Sequence, residues 1–380
     1  MNFGLSAAQR RLLEEVAVAA EGILDGPLAD DPDPAAVAKA WQVATDRGLT
    51  GLCVPVEHGG RGLGALDTAL ALEALGAAGL DTGFAFGIAA HLLACAVPIR
   101  DFGSGALHAD LLRDLATGRV AANAMTEPDA GSDVSRLATT AVPDGDGYRL
   151  DGIKSFVSNG PIADWLVVYA TTDPAAGYLG VSAFAVPRTT PGVRIGPLLR
   201  KTGLRGCLAA EVTFAGCRVG AANLIGAAGA GSQIFQAGMH WERACLAAIY
   251  LGSMATQLRQ CVAHARARRQ FGRALTDFQV TAHRLAVMRQ RLESGRLLLQ
   301  RACWLLDEGD PEASTAAALA KVAVSEAVVA NGLDAIQVHG STGVLTATGV
   351  DAVLRDGLPS TIFSGSTEIQ RDIIVAGLLS

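Results

Sequence analysis

Three short stretches of this chain combine residue types that can do chemistry. Ala124-Met125-Thr126-Glu127-Pro128-Asp129-Ala130-Gly131-Ser132-Asp133 gathers hydroxyls, small residues and a turn, so backbone amides there can approach a bound ring or phosphate oxygens. Taken alone it is a loop. Arg266, Arg268, Arg269 and Arg273 crowd one segment. Guanidinium groups suit paired phosphate oxygens, although such a cluster also reads as the solvated end of a helix. His240-Trp241-Glu242-Arg243 sets a carboxylate amid Phe235, Met239, Trp241, Cys245 and Leu246. A helical Glu is usually a solvated one, but burial in an apolar site raises its pKa from about 4.3 toward working pH, as a general base requires. A fourth stretch, Gly60-Arg61-Gly62-Leu63-Gly64-Ala65, formally fits a dinucleotide-binding turn. The required βαβ alternation and following acid are missing, so it reads as a glycine-rich turn leading into a helix.

The elements that must position these residues come in the order helices, strands, helices. Apolar residues recur at helical spacing from residue 5 to about 120, as in Leu12-Leu13, Val16 and Ala19-Ala20, and later Ala69, Leu70, Leu72 and Leu75. Asp30-Asp31-Pro32-Asp33-Pro34 marks a turn between two of these helices. Between about 121 and 225 short apolar or alternating runs, such as Trp165 to Tyr169, Ser182 to Val186 and Glu211 to Phe214, predict a small antiparallel β domain. After Gly231, long helices are expected over 233–268, 277–307 and 311–338, suited to a bundle and to a neighbouring subunit. The expected domains are 1–120, 121–225 and 226–380.

Composition narrows the class. The chain has 380 residues, half of them hydrophobic, enough for two or three domains with a sizeable core. A net charge of −6 leaves no positive field for nucleic acid or acidic membrane surfaces. The seven cysteines are scattered and never spaced C-x-x-C, so they read as small core hydrophobes in a reducing cytoplasm rather than disulfides or a zinc site. Met1 to Leu5 lacks the pattern of a signal peptide, and no apolar run is expected to span a membrane. A cytoplasmic protein is expected.

The stretch from Thr126 to Asp133 resembles the T-E-P-x-A-G-S-D signature of acyl-CoA dehydrogenases. The resemblance runs from Leu52 to Arg371 and includes Lys154 to Gly160, Arg269-Gln270-Phe271-Gly272, Gln337-Val338-His339-Gly340-Ser341 and Ile369-Gln370-Arg371 in family order. It implies an α+β fold: an N-terminal helical domain, a middle antiparallel β-barrel domain and a C-terminal four-helix bundle. It also implies FAD, held by Met125, Thr126, Gly131, Ser132, Phe156, Ser158, Arg268, Gln270, Phe271, Gln279, Gln337, Gly340, Ser341, Ser366 and Glu368. Phe156 and Ser158 stand where the family usually has Trp and Thr, keeping an apolar wall for the flavin and a donor for its N5. Arg268, Gln270 and Phe271 match positions that reach the FAD of an adjoining subunit, with Gln337 to Ser341 as the partner segment. Ser341 replaces a family Gly, a change that narrows the backbone's approach to the cofactor. Thr367 followed by Gln370 reads as a capping box, and Glu368 serves the capping turn or the cofactor.

The family's loop base is absent: Phe363-Ser364-Gly365-Ser366 stands where many members have Y-E-G-T, and Ser364 cannot act as a base unaided. Glu242 matches a second family pattern, with the Glu in the long helix as in isovaleryl-type members. The resemblance thus implies α,β-dehydrogenation of an acyl thioester, with Glu242 taking the α proton and flavin N5 the β hydride. The backbone N–H of Ser364 and the FAD ribityl 2′-hydroxyl would form the oxyanion site. Ser132, His240, Arg243 and Gly365 match substrate positions, although His240 also fits a helix surface. Trp241, beside the base, suggests a shortened pocket. The thioester belongs to CoA or to an acyl, aminoacyl or peptidyl carrier protein, the electron acceptor is a flavoprotein, and a homodimer or homotetramer is expected. A flavin monooxygenase or oxidase on the same fold is the alternative.

Overall fold

A computed structural model describes residues 4–24 and 32–379. Met1 to Phe3, and Asp30 and Asp31 of the expected turn, lie outside the described residues. The chain opens with α1 (Ala7–Ala20), begun by a capping box in which Ser6 and Gln9 bond each other's backbone N–H groups. α2 (Pro34–Asp46) starts at Asp33, whose carboxylate accepts from the Ala35 N–H. Four further helices complete the first region: α3 (Ala65–Ala77), α4 (Thr82–His91), α5 (Val97–Phe102) and α6 (Gly105–Ala116). A π turn, Leu92–Ala96, joins α4 to α5. Leu52 to Pro55 forms a turn followed by a short 3₁₀ segment, Val56–His58, and the glycine-rich stretch after it leads into α3.

Eight strands follow: β1 (Ala121–Ala124), β2 (Thr140–Asp144), β3 (Gly147–Ser158), β4 (Trp165–Thr171), β5 (Val181–Pro187), β6 (Val193–Leu198), β7 (Ala209–Gly220) and β8 (Leu224–Ile225). They pair in the order β6-β7-β3-β2-β4-β5-β8, with β1 against β4. Most pairings are antiparallel, as the alternating runs predict. β4 also pairs in parallel with β1 and with β2, because the chain between them is long enough to cross over.

The last region holds α7 (Gly231–Trp241), α8 (Ala248–Ala267), a two-stranded hairpin β9 (Arg269–Gln270) and β10 (Arg273–Ala274), then α9 (Gln279–Asp307), α10 (Ala313–His339), α11 (Ala352–Gly357) and α12 (Thr367–Leu379). The helix expected over 233–268 is not continuous, since Glu242–Leu246 forms a second π turn between α7 and α8. This turn packs against the first one. α3 and α8 approach until their backbones nearly touch: a Cβ on Gly76 would sit 2.2 Å from the Ile249 carbonyl oxygen, and one on Gly252 would sit 2.1 Å from that of Glu73. One apolar core therefore unites helices of the first and last regions, with Trp41, Leu72, Phe84, Leu251 and Val324 among its members. A separate core fills the sheet around Leu150, Phe184 and Phe214.

Two helical stretches, Thr82–Phe102 and Ala313–Val344, do reach membrane-spanning length and hydropathy, contrary to the expectation from sequence. The apolar window of the first is wholly buried and that of the second more than half buried, so core packing accounts for their composition. All seven cysteines are buried free thiols.

Candidate active site

A cleft of about 820 Å³ opens where the sheet meets the two π turns and the segment before α12. Its lining includes Met125, Thr126, Gly131, Ser132, Phe156, Ser158, Glu242, Ser364, Gly365 and Ser366, so residues from four distant parts of the sequence converge there.

The loop after β1 is held from below by a buried ion pair. Lys154 Nζ lies 2.7 Å from Glu127 Oε1 and 3.0 Å from the Met125 carbonyl oxygen. The same carboxylate accepts from the Ala138 and Thr139 N–H groups at 2.6 and 3.0 Å. Burial pushes the Lys154 pKa down to about 8 against the opposing pull of Glu127. Burial also works to raise Glu127, but Lys154 outweighs it and holds that carboxyl below its ordinary value. With every oxygen and the ammonium engaged, the pair fixes the loop that presents Met125 and Thr126 to the cleft. Above it, Phe156 has φ +54° and leaves 71% of its surface exposed on the cleft wall. An apolar ring so exposed, at a backbone angle unfavourable to any residue but glycine, is suited to covering a flat partner.

Glu242 is the first residue of the second π turn and is 8% exposed. Burial raises its carboxyl from 4.5 to about 7, with Arg243 and the Ser364 hydroxyl pulling the other way. Phe86, Ala90, Ala94, Phe235 and Met239 supply the apolar lining nearby. A buried carboxyl poised at this value can take a proton from carbon near neutral pH.

Facing it, the segment before α12 is bent sharply: Ser364 has φ +54° and Gly365 φ +90°. A serine held in that region costs about 1–3 kcal/mol and persists only where its surroundings over-determine it. Arg243 Nε donates to the Ser364 carbonyl at 3.1 Å, Lys321 Nζ to the Gly365 carbonyl at 2.8 Å, and Gln370 Nε2 to both at 3.0 and 3.1 Å. The Ser364 hydroxyl is buried on the side of the turn that bears on Glu242.

Other expected site residues lie elsewhere. Arg268, Gln270 and Phe271 sit at the β9–β10 hairpin and Gln279 at the start of α9, all exposed, with Phe271 93% so. Gln337 lies in the last turn of α10 and Gly340 and Ser341 in the 3₁₀ segment after it, next to that hairpin's base, since His339 and His264 place their rings 4.3 Å apart. None of these lines the cleft of its own chain. His240 is half-buried beside the cleft-lining Met239 without lining the cleft itself, and Arg243 is buried with its Nε committed to the Ser364 carbonyl. Trp241 does not shorten the pocket: it turns to the helical core and lies under the Arg100 guanidinium, 4.5 Å from its ring centre. The expected Thr367–Gln370 capping box is also corrected. Ser366 caps α12 by accepting from the Ile369 N–H at 3.5 Å, while Gln370 reaches back to the Ser364 and Gly365 carbonyls. Glu368 is exposed in the first turn of α12.

Sequence reasoning missed the loop Arg200 to Leu204, which forms one wall of the cleft. Half-buried Lys201 fixes it by donating to the Leu204 and Cys207 carbonyls, and Asp356 accepts from the Leu204 N–H at 2.7 Å. Glycines at 203 and 206 between two strands were its only local signal. Lys321 was missed as well, because an Ala-rich helix gives no hint that its one lysine points inward.

Comparison with known proteins matches residues 6–119, 122–217 and 229–379 to the N-terminal, middle and C-terminal domains described as acyl-CoA dehydrogenase. The chain is similar to L-prolyl-[peptidyl-carrier protein] dehydrogenase of Pseudomonas fluorescens, 50% identical over 90% of each chain. It is similar to the structure "PigA with FAD and proline", 40% identical with a TM-score of 0.94 over 100% of this chain and 99% of that one. It is also similar to the prolyl acyl carrier protein oxidase AnaB, 35% identical with a TM-score of 0.93 over 99% and 100%.

Proposed function

This chain belongs to the acyl-CoA dehydrogenase family, and from that premise we propose that it dehydrogenates a prolyl group carried as a thioester on a peptidyl carrier protein, with Glu242 as the base. It is an FAD enzyme, and the residues of the cleft fit that cofactor: the exposed Phe156 ring offers a flat wall, Thr126 and Ser158 offer hydroxyl donors, and a Cβ on Gly131 would meet no atom within 4 Å, leaving its backbone open to approach. When bound there, FAD supplies the acceptor for the β hydrogen and its two electrons.

The observation that carries the reading is the convergence of a buried carboxyl and a bent, triply held backbone turn in one apolar cleft. Glu242 takes the α proton as the Cα–H bond breaks, becoming a neutral acid that its apolar surroundings favour. The thioester oxygen gains negative charge as this happens, and the Ser364 N–H donates to it. Met239, Phe235 and Phe86 exclude water from the reacting carbons. His240, Ser132 and Gly365 are the positions we assign to the pantetheine side. Arg268, Gln270, Phe271, Gln279 and the Gln337–Ser341 segment, exposed and remote from their own cleft, are assigned to the cofactor of a second copy, which makes the working unit a homo-oligomer. An electron-transferring flavoprotein is the acceptor in this reading, and the seven buried free thiols fit a cytoplasmic setting. Oxygen as acceptor is the second reading, favoured by the word oxidase in the name of one similar structure.

The test is anaerobic loss of the oxidised-flavin band on mixing with L-prolyl carrier protein, butyryl-CoA and isovaleryl-CoA. Rapid bleaching by the prolyl thioester alone is expected. Faster bleaching by either CoA ester would overturn the substrate assignment, and reoxidation by air as fast as by the flavoprotein acceptor would favour the oxidase reading.

A further inference from the structure

We infer that Lys321 is a positioning residue for thioester activation: its ammonium, inside the fold, holds the Ser364–Gly365 turn so that the Ser364 N–H faces the substrate oxygen. This rests on the dehydrogenase reading above. Lys321 sits in the middle of α10 among Ala317, Ala318, Ala320 and Val324 and is 2% exposed. A lysine is rarely buried so deeply without a carboxylate partner, yet its hydrogen bond goes to a backbone carbonyl, that of Gly365, at 2.8 Å. Its ammonium also lies 6.0 Å from the centre of the Phe363 ring, at the outer reach of a cation–π approach. The charged groups facing it are Arg243 from the second π turn, which disfavours its charge, and Glu368 from α12, which favours it.

Three donors from three separate elements thus hold two consecutive carbonyls: Arg243 from the π turn, Lys321 from α10 and Gln370 from α12. The direction of the Ser364 N–H follows from its φ of +54° once the Ser364 and Gly365 carbonyls are both fixed, and Lys321 holds the second of them. Released, a serine relaxes to negative φ, which turns that N–H away from the cleft. Arg243 also bears on the charge of Glu242, and Gln370 belongs to the first turn of α12. Lys321 serves the turn alone, which makes it the member whose removal isolates the effect.

The experiment compares wild-type, Lys321→Met and Lys321→Arg holoenzymes. At saturating prolyl carrier protein, Lys321→Met is expected to reduce flavin at least about tenfold more slowly, with KM within about threefold and FAD retained, as removal of a donor acting only in the transition state requires. Lys321→Arg should recover most of the rate. Amide exchange over residues 359–366, measured without substrate, should quicken by about tenfold in Lys321→Met alone, since exchange follows local opening. A rate within twofold of wild type overturns the inference, as does a joint loss of rate, KM and FAD affinity that Arg does not repair. If no thioester reduces the wild-type flavin, the dehydrogenase reading fails by itself, and unchanged exchange at 359–366 overturns the role of Lys321 independently.

Discussion

Replacing Glu242 by Gln is expected to make the protein both inactive and more stable, and the two effects share one cause. Burial holds the carboxyl at about 7 rather than its ordinary 4.5, which corresponds to roughly 3.5 kcal/mol at about 1.4 kcal/mol per pH unit. Because the folded state binds this proton more tightly than the unfolded state, the associated stability is fully present below about pH 4.5 and is lost as pH rises through about 7. Gln carries no charge to desolvate. At pH 8.5 the variant should exceed wild type by up to about 3.5 kcal/mol, or about 4 °C in Tm for a chain of this length, while near pH 4.5 the two should melt together. Differential scanning calorimetry of both holoenzymes at the two pH values measures this without substrate. In the same variant, loss of the base should slow anaerobic flavin reduction by about 10²–10⁴-fold, and in wild type that rate should rise about tenfold from pH 6 to pH 8 as the carboxyl ionises. Equal melting at pH 8.5, or a variant retaining more than a tenth of the rate, would refute the assignment of Glu242 as a buried base.

Two further outcomes test the supports of the cleft. Lys154→Met leaves the Glu127 carboxylate buried with only its backbone partners; it should cost about 3–5 kcal/mol by urea denaturation, and Lys154→Met with Glu127→Gln should recover part of that. Phe156→Ala removes a ring that is already 71% exposed, so stability without cofactor should change by less than about 0.5 kcal/mol, while FAD affinity, followed by flavin fluorescence, should weaken about tenfold.

The order helices, strands, helices was legible because hydrophobic period changes at Ala121 and again near Gly231, and those periods reflect burial that the fold then supplies. Motif and apolar context singled out Thr126 to Asp133 and Glu242 in the sequence, and the fold brings Thr126, Gly131, Ser132 and Glu242 to one cleft. What stayed hidden depends on contacts between distant segments. No local pattern distinguishes a π turn from an α-helix, so the break at Glu242 could not be read. Trp241 was placed beside the base by sequence adjacency alone, whereas its ring packs against the helical core under Arg100. Lys321, 79 positions beyond Glu242 in sequence, meets the Ser364–Gly365 turn only because α10 and α12 pack together.

The second π turn has a consequence for how such an enzyme changes over time. Each π turn adds one residue to a helical circuit, so the helix beyond it is rotated by about 100° relative to the helix before it. Gly231 to Trp241 can therefore obey the cleft while Ile249, Leu251 and Met254 obey the bundle, each half with its own register. Sliding the extra residue along the chain would change which side chain faces the cleft while leaving both packed halves in phase. The acid at position 242 is then one setting of a movable notch, and a new residue can be presented there by a local shift instead of a redesign of the helix.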